Sequence, residues 1–286
     1  MDSQLLKTFI QLSATRNFTQ TAKLLFVAQS TVTNRINELE KEVGKQLFLR
    51  DKKKVALTPE GELFLVYAKR LLELEKAAIE QIHSADFSRQ LISFGATNSI
   101  YESHLFPVIR SLQANDPGTL IKVVINHSFD LLAFLQDGLI DVAFTYLPFN
   151  KKGYSCRPFK EDELLLVTMN NNTDFAGGIY QNELASLDFL FCNFALHKVG
   201  QFIRELFPPH HPFTFEIDNS SKLIPYLLDG FGYSFLPKSL IARHLDDGSL
   251  ISIPLLDFET PTIKSYCIYK NDQAPALSGI LALLQS

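Results

Sequence analysis

The sequence predicts a multidomain protein of the α/β class, with a small helical head, one long helix and a larger body of alternating strands and helices. Three observations support this prediction. The chain has 286 residues, more than the ~100–200 of a typical domain. Hydrophobic residues make up 46% and charged residues 20%, the balance of a globular protein. From Leu91 onward the apolar pattern changes from helical spacing to strands separated by helices.

The charge differs between the two ends of the chain. Residues 1–58 contain ten Lys and Arg against five Asp and Glu, whereas the remaining residues contain 17 against 26. A head with a net charge of +5 therefore precedes a body with a net charge of −9. This asymmetry favours a polyanion as the partner of the head and a different function for the body.

The composition argues against membrane, secreted and disulfide-stabilised proteins. Charged residues interrupt every long apolar stretch before the ~18 residues that would span a bilayer, and the N-terminus lacks the pattern of a signal peptide. Cys156, Cys192 and Cys267 are odd in number and widely spaced. We therefore expect a cytoplasmic protein with buried free thiols.

Three short helices are predicted in the head. The first has one apolar face, Thr19 can cap the second, and the third extends from about Ala28 to Val43, where Gly44 ends it. On the third helix Val32, Ile36, Leu39 and Val43 share one face. The opposite face carries the short polar side chains of Ser30, Thr33, Asn34 and Asn37.

A charged hairpin is predicted after the third helix. The segment LFLRDKKKVALTPEG has the pattern of two short strands around a turn from Asp51 to Lys54. Together with the preceding helices, this basic hairpin predicts a helix-turn-helix followed by a wing.

One long helix is predicted over residues 59–83, begun by Thr58-Pro59-Glu60. Its apolar residues alternate steps of three and four, as in a coiled coil. They are Phe64, Tyr67, Leu71, Leu74 and Ala78. Because a lone helix with an apolar stripe needs a partner and the head has no helix of matching length, we predict that two chains pair through this seam.

Apolar strands alternate with helices in the body. The predicted strands are LISFG, LIKVVIN, IDVAFTY, ELLLVTM, DFLFCN, FTFEI and GYSFLP, and the predicted helices are residues 97–115, SFDLLAFLQDG, residues 200–207, residues 221–229 and KSLIARHL. A loop containing Pro158 is expected between IDVAFTY and ELLLVTM. Continuously apolar strands separated by helices favour mainly parallel sheets, and about 195 residues favour two lobes.

The N-terminal segment SATRNFTQTAKLLFVAQSTVTNRINELEKEVGKQLFLRDKKKVALTPEG resembles the signature of the LysR-type transcriptional regulator family. The resemblance depends on Phe18-Thr19, Ala22, Gln29-Ser30, Leu39-Glu40, Gly44, Leu47-Phe48, Arg50, Leu57-Thr58 and Gly61. The segments DLLAFLQDGLIDVAF and IPYLLDGFGYSFLPKSL are similar, more loosely, to the family's effector-binding domain.

The resemblance implies a domain organisation. Residues 1–58 would form a winged helix-turn-helix DNA-binding domain, residues 59–88 a dimerising linker helix and hinge, and residues 89–286 an effector-binding domain. The last would resemble a periplasmic binding protein, with lobe I at about 89–162 and 267–286 and lobe II at about 163–266. A small-molecule effector would bind between these lobes.

The helix-turn-helix and the wing supply the candidate DNA-binding residues. A recognition helix places side chains on base edges in the major groove while Lys and Arg neutralise phosphates. The candidates on the helices are Thr19, Gln29, Ser30, Thr31, Thr33, Asn34, Arg35 and Asn37, and those in the wing are Arg50, Lys52, Lys53 and Lys54. The alternative is a solvated helix face beside a solubilising turn. The family often has Ser-Arg where this chain has Thr33-Asn34, so we expect a different half-site preference.

The resemblance also implies effector contacts at the ends of strands and helices in the body. The candidates in the first lobe are Thr97, Asn98, Ser99, Ser128, Thr145 and Tyr146, and those in the second lobe are Phe194, Ala195, Leu196, His197, Asn219 and Ser220. Helix N-termini offer free N–H groups and the positive end of a dipole, which favours an anionic effector. Ordinary helix capping is the alternative for Thr97 and Ser128, and a core or surface histidine is the alternative for His197.

Other functions have weaker support. GFGYSF has Phe235 where a dinucleotide-binding fingerprint needs its third glycine. The sequence contains no phosphate-binding P-loop, no nucleophile elbow and no His-Glu-x-x-His motif. We therefore expect no catalytic residue, cofactor or metal. A metal site at His210-His211 and a thiol redox sensor stay open as alternatives, as do a ligand-binding protein whose head does not recognise specific DNA and an enzyme built on the two-lobed body.

The sequence therefore predicts a LysR-type DNA-binding transcriptional regulator whose operator binding or activation is controlled by a small-molecule effector. The expected partners are double-stranded operator DNA, the effector, further copies of the chain in a homodimer or homotetramer, and RNA polymerase if the protein is an activator. A membrane is not among the expected partners.

Overall fold

The computed structural model describes residues 2–51, 54–85, 91–193, 197–275 and 277–284. The chain forms two compact units, residues 1–88 and 89–286. The elements of the first unit are α1 (Ser3–Thr15), α2 (Phe18–Leu24), α3 (Gln29–Val43), β1 (Phe48–Asp51), β2 (Lys54–Leu57) and α4 (Pro59–Ala85).

The second unit alternates strands and helices. Its strands are β3 (Leu91–Ala96), β4 (Leu120–Ile125), β5 (Val142–Thr145), β6 (Tyr154–Asp162), β7 (Leu164–Met169), β8 (Leu190–Cys192), β9 (Phe215–Ile217), β10 (Ser234–Pro237), β11 (Leu250–Ser252) and β12 (Ile263–Lys270). Its α-helices are α5 (Asn98–Ile100), α6 (Phe106–Asn115), α7 (Ser128–Asp137), α8 (His197–Glu205), α9 (Leu223–Leu228), α10 (Lys238–Asp246) and α11 (Ser278–Leu283). Short 3₁₀ helices cover Gln181–Ser186, Ser220–Lys222 and Asn271–Gln273. None of the described helices combines the length and the apolar character needed to cross a membrane.

The predicted N-cap of α2 is wrong by two residues. Asn17 has an extended backbone conformation, and its side chain accepts a hydrogen bond from the Gln20 N–H at 2.9 Å. Thr19 therefore lies in the first turn of α2. Both residues are of types that cap helices, and Asn17 takes this position because its oxygen reaches a free N–H group of the first turn.

Aromatic packing joins the linker helix α4 to the head. The ring of Phe9 lies 5.3 Å from that of Phe48 and 5.2 Å from that of Phe64, measured between centroids. Ala68 is buried in the same core, and Leu72 packs against it. The expectation that Phe64 belongs to a seam uncovered by the head is thus wrong, because α1 packs on that face of α4 through Phe9.

The first sheet of the second unit has the strand order β4-β3-β5-β12-β6. Its strands β4, β3 and β5 are parallel, whereas β12 is antiparallel to both β5 and β6. Phe94 and Phe144, on β3 and β5, are fully buried in its core. We call the part built on this sheet the first lobe.

The second lobe, built on β7 to β11, repeats this arrangement. Strands β8 and β9 are parallel, and a parallel bridge between Phe189 and Tyr233 connects the start of β8 to the start of β10. Strand β7 is antiparallel to β10 and to β11. The expectation of mainly parallel sheets is therefore wrong for β7 and β12. The chain enters the second lobe with β7 and returns to the first lobe with β12, and each of these strands runs antiparallel to its neighbours.

Strands β6 and β12 differ from two expectations. β6 replaces the loop expected around Pro158, and β12 begins before the expected boundary between the lobes. Pro158 lies inside β6, which is tolerated because β6 is the edge strand of its sheet. The return to the first lobe was expected at about residue 267, but β12 pairs with β6 from Ile263 onward. Three elements, β6, β11 and β12, had no counterpart among the predicted strands.

The helix predicted over residues 97–115 is interrupted. A π-helical turn at Tyr101–Leu105 separates α5 from α6. Such turns occur often at functional sites, and this one lies directly after the candidate effector residues Thr97, Asn98 and Ser99.

Candidate DNA interface and effector cleft

The third helix of the head has one buried and one polar face. Val32, Ile36 and Leu39 are fully buried in the head's core. On the opposite face, Ser30, Asn34 and Asn37 are exposed and Thr33 is half-buried. The helical spacing predicted this division, and it leaves short polar side chains available to a partner along one face of α3.

Hydrogen bonds hold several other candidates within the head. The Thr33 hydroxyl donates to the Gln29 carbonyl at 3.1 Å, and the Thr19 hydroxyl donates to Gln29 Oε1 at 3.4 Å. Arg35 is half-buried, and its Nη1 donates to Thr8 Oγ1 on α1 at 3.2 Å. Arg35 therefore connects α3 to α1, a contact that its sequence position did not indicate. Thr31 is half-buried at the edge of the polar face.

Backbone contacts fix where the wing starts and ends. Glu40 Oε1 accepts hydrogen bonds from the N–H groups of Leu47, at 2.8 Å, and Phe48, at 3.1 Å. The Thr58 hydroxyl donates to the Gln46 carbonyl and accepts from the Gly61 N–H. These bonds explain why the family-like motif includes Glu40, Thr58 and Gly61. Lys52 and Lys53 lie outside the described residues, as do the side chains of Arg50 and Lys54.

An exposed aromatic ring lies in the turn before α3. Phe26 is 95% exposed, and its backbone has a φ of 54°. This left-handed conformation is unusual for a residue other than glycine, asparagine or aspartate. Val27, the next residue, packs against the head's core, so the turn is held in place while the Phe26 ring points outward.

A cavity of about 230 Å³ lies between the two lobes. It is lined by Thr97, Asn98, Ser99, Ile125, Asn126, His127, Tyr146, Asp218, Asn219 and Ser220. The structure thus brings together Thr97, Asn98, Ser99, Tyr146, Asn219 and Ser220 among the residues proposed from the sequence. They come from both lobes, as expected of a ligand site in a cleft.

Hydroxyl groups form the inner wall of this cavity. Ser99 Oγ and the Tyr146 hydroxyl share a hydrogen bond of 2.7 Å. Burial raises the pKa of Tyr146 to about 12, although the hydrogen bond from Ser99 opposes that shift. Tyr146 is therefore neutral at physiological pH and can donate or accept a hydrogen bond.

The other candidates lie behind the cavity or outside the described residues. Ser128 is buried, and its Oγ accepts from the Tyr146 N–H at 3.3 Å. Thr145 is buried, and its hydroxyl donates to the Leu147 carbonyl at 2.7 Å. Phe194, Ala195 and Leu196 lie outside the described residues. His197 begins α8, and its side chain, like those three residues, is not among the parts of the chain that the structure describes.

Four lining residues were missed by the sequence analysis. They are Ile125, Asn126, His127 and Asp218. Ile125 ends β4, and Asp218 comes directly after β9. The carboxyl ends of parallel strands are where open α/β sheets bind ligands, so the residues after each predicted strand could have been included.

One side chain connects the lobes at this cavity. Asn98 Nδ2 donates to Ser221 Oγ at 2.7 Å and lies 3.3 Å from Asn219 Oδ1. Asn219 Oδ1 also accepts from the Ser221 N–H at 3.1 Å, which makes Asn219 the N-cap of the following 3₁₀ turn. At this cavity the described contact between the lobes is therefore polar, and a second polar contact joins them elsewhere, between His104 Nε2 and Ser239 Oγ at 3.2 Å.

The thiols and the histidine pair give little support to redox or metal chemistry. Cys192 and Cys267 are buried as predicted, and burial raises the pKa of each thiol to about 12. Since the thiolate is the reactive form, these two groups are poor redox sensors. Cys156 is only half-buried. His211 stacks on Phe207, and the described residues contain no group of three or more His, Cys, Asp or Glu arranged to hold a metal ion.

Comparison with known families identifies both parts of the chain. Residues 3–62 match the family described as "Bacterial regulatory helix-turn-helix protein, lysR family", and residues 85–286 match "LysR substrate binding domain". The "HTH-type transcriptional regulator CitR" of Bacillus subtilis is 28% identical over 282 residues, which cover 95% of this chain and 95% of CitR. The regulator HdfR of Yersinia pestis is 35% identical over 149 residues, 52% of this chain and 50% of HdfR.

Solved structures share the fold across the whole chain. The LysR family regulator CbnR aligns with a TM-score of 0.68 and 19% identity, covering 100% of this chain and 98% of CbnR. CbnR in complex with its target DNA aligns with a TM-score of 0.65 and 20% identity, covering 100% of this chain and 99% of that CbnR chain. DarR of Vibrio fischeri, in complex with DNA, aligns with a TM-score of 0.57 and 22% identity, covering 99% of this chain and 98% of DarR. The family is one of transcriptional regulators and not of enzymes, and the resemblance found in the sequence is confirmed: this chain belongs to the LysR family of bacterial transcriptional regulators, with a helix-turn-helix domain and a C-terminal substrate-binding domain.

Proposed function

We propose that this regulator recognises double-stranded operator DNA through α3 and the β1–β2 wing, and that a small molecule in the interlobe cavity controls its action. LysR regulators bind operator DNA and small-molecule effectors. The observation that carries the effector half is the cavity lined from both lobes by hydroxyl and amide groups, with Asn98 joining the lobes beside it. Occupancy of this cavity would change the balance between open and closed lobes.

The polar face of α3 supports the role in DNA recognition. Ser30, Asn34 and Asn37 project to solvent opposite the buried Val32 and Ile36. A recognition helix uses such side chains on base edges, while basic groups bind phosphates. Gln29 accepts a hydrogen bond from Thr33 through its backbone carbonyl and another from Thr19 through its side chain. We therefore assign these three residues to positioning or to phosphate contact. Arg35 is assigned to positioning because it donates to Thr8.

A second copy of the chain is the partner we propose for α4. Leu63, Tyr67, Leu71 and Ile82 are at least 40% exposed on this helix, and Leu63, Tyr67 and Leu71 follow one another at steps of four. Phe64 faces the head instead. A helix of 27 residues with these exposed apolar side chains is stabilised by pairing. Two heads would then contact two half-sites, and a homotetramer would be a pair of such dimers.

The location, one further partner and the chemical class of the effector follow from this proposal. A regulator of operator DNA acts where the chromosome is, in the bacterial cytoplasm. When it activates transcription, RNA polymerase would be a further partner. The effector is proposed to be a small molecule with an anionic group, since α7 begins at the cavity with its first N–H groups free of a side-chain cap.

Selection of bound fragments from genomic DNA, followed by footprinting, tests the proposal. The full-length protein is expected to protect a defined site with two half-sites, and replacing the α3 polar face by alanine should abolish that protection. Addition of an extract of small metabolites should change the footprint's length or affinity. Uniform binding to all fragments would contradict specific operator recognition and would favour a ligand-binding protein with an unspecific head.

A further inference from the structure

One acidic side chain lines the interlobe cavity and has no hydrogen-bond or ion-pair partner among the described residues. Asp218 is the one carboxylate among the described lining residues, and that described set includes no Lys or Arg. The Asp218 carboxylate makes no hydrogen bond or ion pair with another described residue. Asp218 is exposed to solvent at this cavity, so a ligand that carries only negative charge would be repelled by it, with no cation among the described lining residues to offset the repulsion.

The start of α7, which lines the same cavity, favours negative charge. His127, a lining residue, is the N-cap of the ten-residue helix α7, and it makes no side-chain cap hydrogen bond. The first N–H groups of a helix have no partner inside the helix. Together with the helix dipole they form a site for a carboxylate or another anion.

The Thr97 hydroxyl gives an independent indication of a ligand at the same place. Thr97 is 7% exposed, and its buried Oγ1 makes no hydrogen bond of normal geometry with a described residue; the nearby Tyr146 hydroxyl is bonded to Ser99 instead. Buried hydroxyl groups normally have a partner. Because Thr97 lines the cavity, a bound ligand can supply that partner.

We infer that the effector is a small α-amino acid, bound by its carboxylate at the α7 N-terminus and the Thr97 hydroxyl and by its ammonium group at Asp218. This inference rests on the proposed role of the cavity as the effector site. A zwitterion is the ligand class that satisfies both regions at once, since its ammonium group neutralises Asp218 and its carboxylate accepts from the free donors.

The size of the cavity limits the amino acid's side chain. A volume of about 230 Å³ is below the ~300–1,000 Å³ of pockets that hold drug-sized ligands. Ile125 and the ring of Tyr146 add some apolar lining. A short side chain therefore fits better than a large aromatic one.

Binding measurements on the full-length protein test this inference. The twenty proteinogenic L-amino acids are screened by thermal shift, and any that stabilises the protein is compared by calorimetry with the acid that lacks its amino group. Such pairs are alanine and propionate, aspartate and succinate, and glutamate and glutarate. We expect at least one amino acid to bind and its deaminated partner to bind about twofold to fivefold more weakly, because the ion pair with the exposed Asp218 is lost.

Three variants assign the contacts. Asp218→Asn removes the charge and keeps the shape, and it should weaken amino acid binding about twofold to fivefold, as expected for an ion pair at an exposed carboxylate. Thr97→Val should weaken the binding of the amino acid and of its deaminated partner alike. Asp229→Asn, the same change at an exposed carboxylate that does not line the cavity, is the matched control and should bind as the unmodified protein does. Melting without ligand checks that each variant folds.

Each other result counts against the inference. It is overturned if none of the amino acids binds, if a deaminated acid binds as tightly as its amino acid, or if Asp218→Asn leaves affinity unchanged. A carboxylate without an amino group that needs Thr97 and ignores Asp218→Asn would keep the proposed effector site and remove only the amino acid. An amino acid whose affinity neither variant changes would place its site outside this cavity and contradict both proposals.

Discussion

The side-chain amide of Asn98 donates a hydrogen bond of 2.7 Å to Ser221 Oγ, across the cleft between the two lobes. The same amide nitrogen lies 3.0 Å from Glu102 Oε1 and 3.3 Å from Asn219 Oδ1. An amide nitrogen carries two hydrogens, so these three acceptors compete for it. Opening of the cleft would break the contacts with Ser221 and Asn219 and keep the one with Glu102, which belongs to the same lobe as Asn98.

Replacing Asn98 by alanine is expected to favour the open cleft. The variant loses the amide's bonds to the second lobe, and a typical hydrogen bond contributes about 0.5–1.5 kcal/mol to stability. Amide hydrogen exchange on the full chain should show faster exchange at residues 219–222, and effector affinity should fall by roughly tenfold. Glu102→Ala is the control, because it removes only the competing acceptor. Equal exchange in Asn98→Ala and the unmodified protein would show that this bond does not hold the lobes together.

Asn34 is predicted to contribute to DNA sequence recognition. It is exposed on the polar face of α3, opposite the buried Ile36. If its amide contacts a base edge, Asn34→Ala should cost about 1–3 kcal/mol at the preferred site and little on random DNA. Titrations by fluorescence anisotropy at one fixed salt concentration measure both affinities. Equal losses on the two DNAs would instead indicate a contact with the phosphate backbone.

Leu71 is predicted to lie in the interface between two chains. It is 40% exposed on α4 within a single chain, so its burial depends on a partner helix. Leu71→Glu would place an unpaired carboxylate in that interface, at a cost of several kcal/mol, and sedimentation should show monomers. Lys69→Glu changes charge on the opposite side of α4 and serves as the control. A folded Leu71→Glu variant with unchanged mass would place the pairing surface elsewhere.

His104 is predicted to make the second unit less stable at mildly acidic pH. Burial lowers its pKa, Asp162 opposes that shift and Lys160 adds to it, and its Nε2 lies 3.2 Å from Ser239 Oγ. Because the unfolded state has a pKa of about 6.5, it binds more protons than the folded state just below that value, and stability falls as the pH drops. Urea unfolding at pH 7.5 and 5.5 should show a smaller loss in His104→Gln. An identical loss in both proteins would exclude His104 as the cause.

The faces of the helices could be predicted from the sequence, but their partners could not. The spacing of Val32, Ile36 and Leu39 fixes which side of α3 is apolar, whatever it packs on. On α4 the same kind of spacing fits two faces. Contacts with the head, such as the one between Phe9 and Phe64, are needed to show which of these faces the head covers. Local periodicity carries no information about a partner that is distant in sequence.

The sequence predicted where the cavity lies, between the two lobes, but it predicted only some of the residues that line it. Helix starts such as Thr97-Asn98-Ser99 have recognisable side chains, so they were found. Asp218 lacks the side-chain signature of a helix start, so its one signal was its place directly after the predicted strand FTFEI, which gains meaning once β9 is known to run parallel to β8. Pro158 was misleading for a similar reason: whether a proline can lie in a strand depends on that strand being at an edge, and this is a property of the whole sheet.

Phe26 combines backbone strain with an exposed ring. Its φ of 54° costs a residue other than glycine roughly 1–2 kcal/mol, and a ring that is 95% exposed offers little packing in return. Residues held in this way occur often at functional sites. Phe26 lies three positions before Gln29, the first residue of α3, where a DNA partner would approach.

Replacing Phe26 by asparagine is therefore expected to stabilise the head and to weaken DNA binding. Asparagine adopts the left-handed conformation more readily, so the free energy of unfolding should rise by about 0.5–1 kcal/mol in urea titrations. Phe26→Ala keeps the strained backbone and removes only the ring, so its stability should equal that of the unmodified protein. Both variants should bind operator DNA more weakly, because both lack the ring. Full DNA affinity in both would limit the role of Phe26 to the turn, and unchanged stability in Phe26→Asn would mean that the turn is not strained.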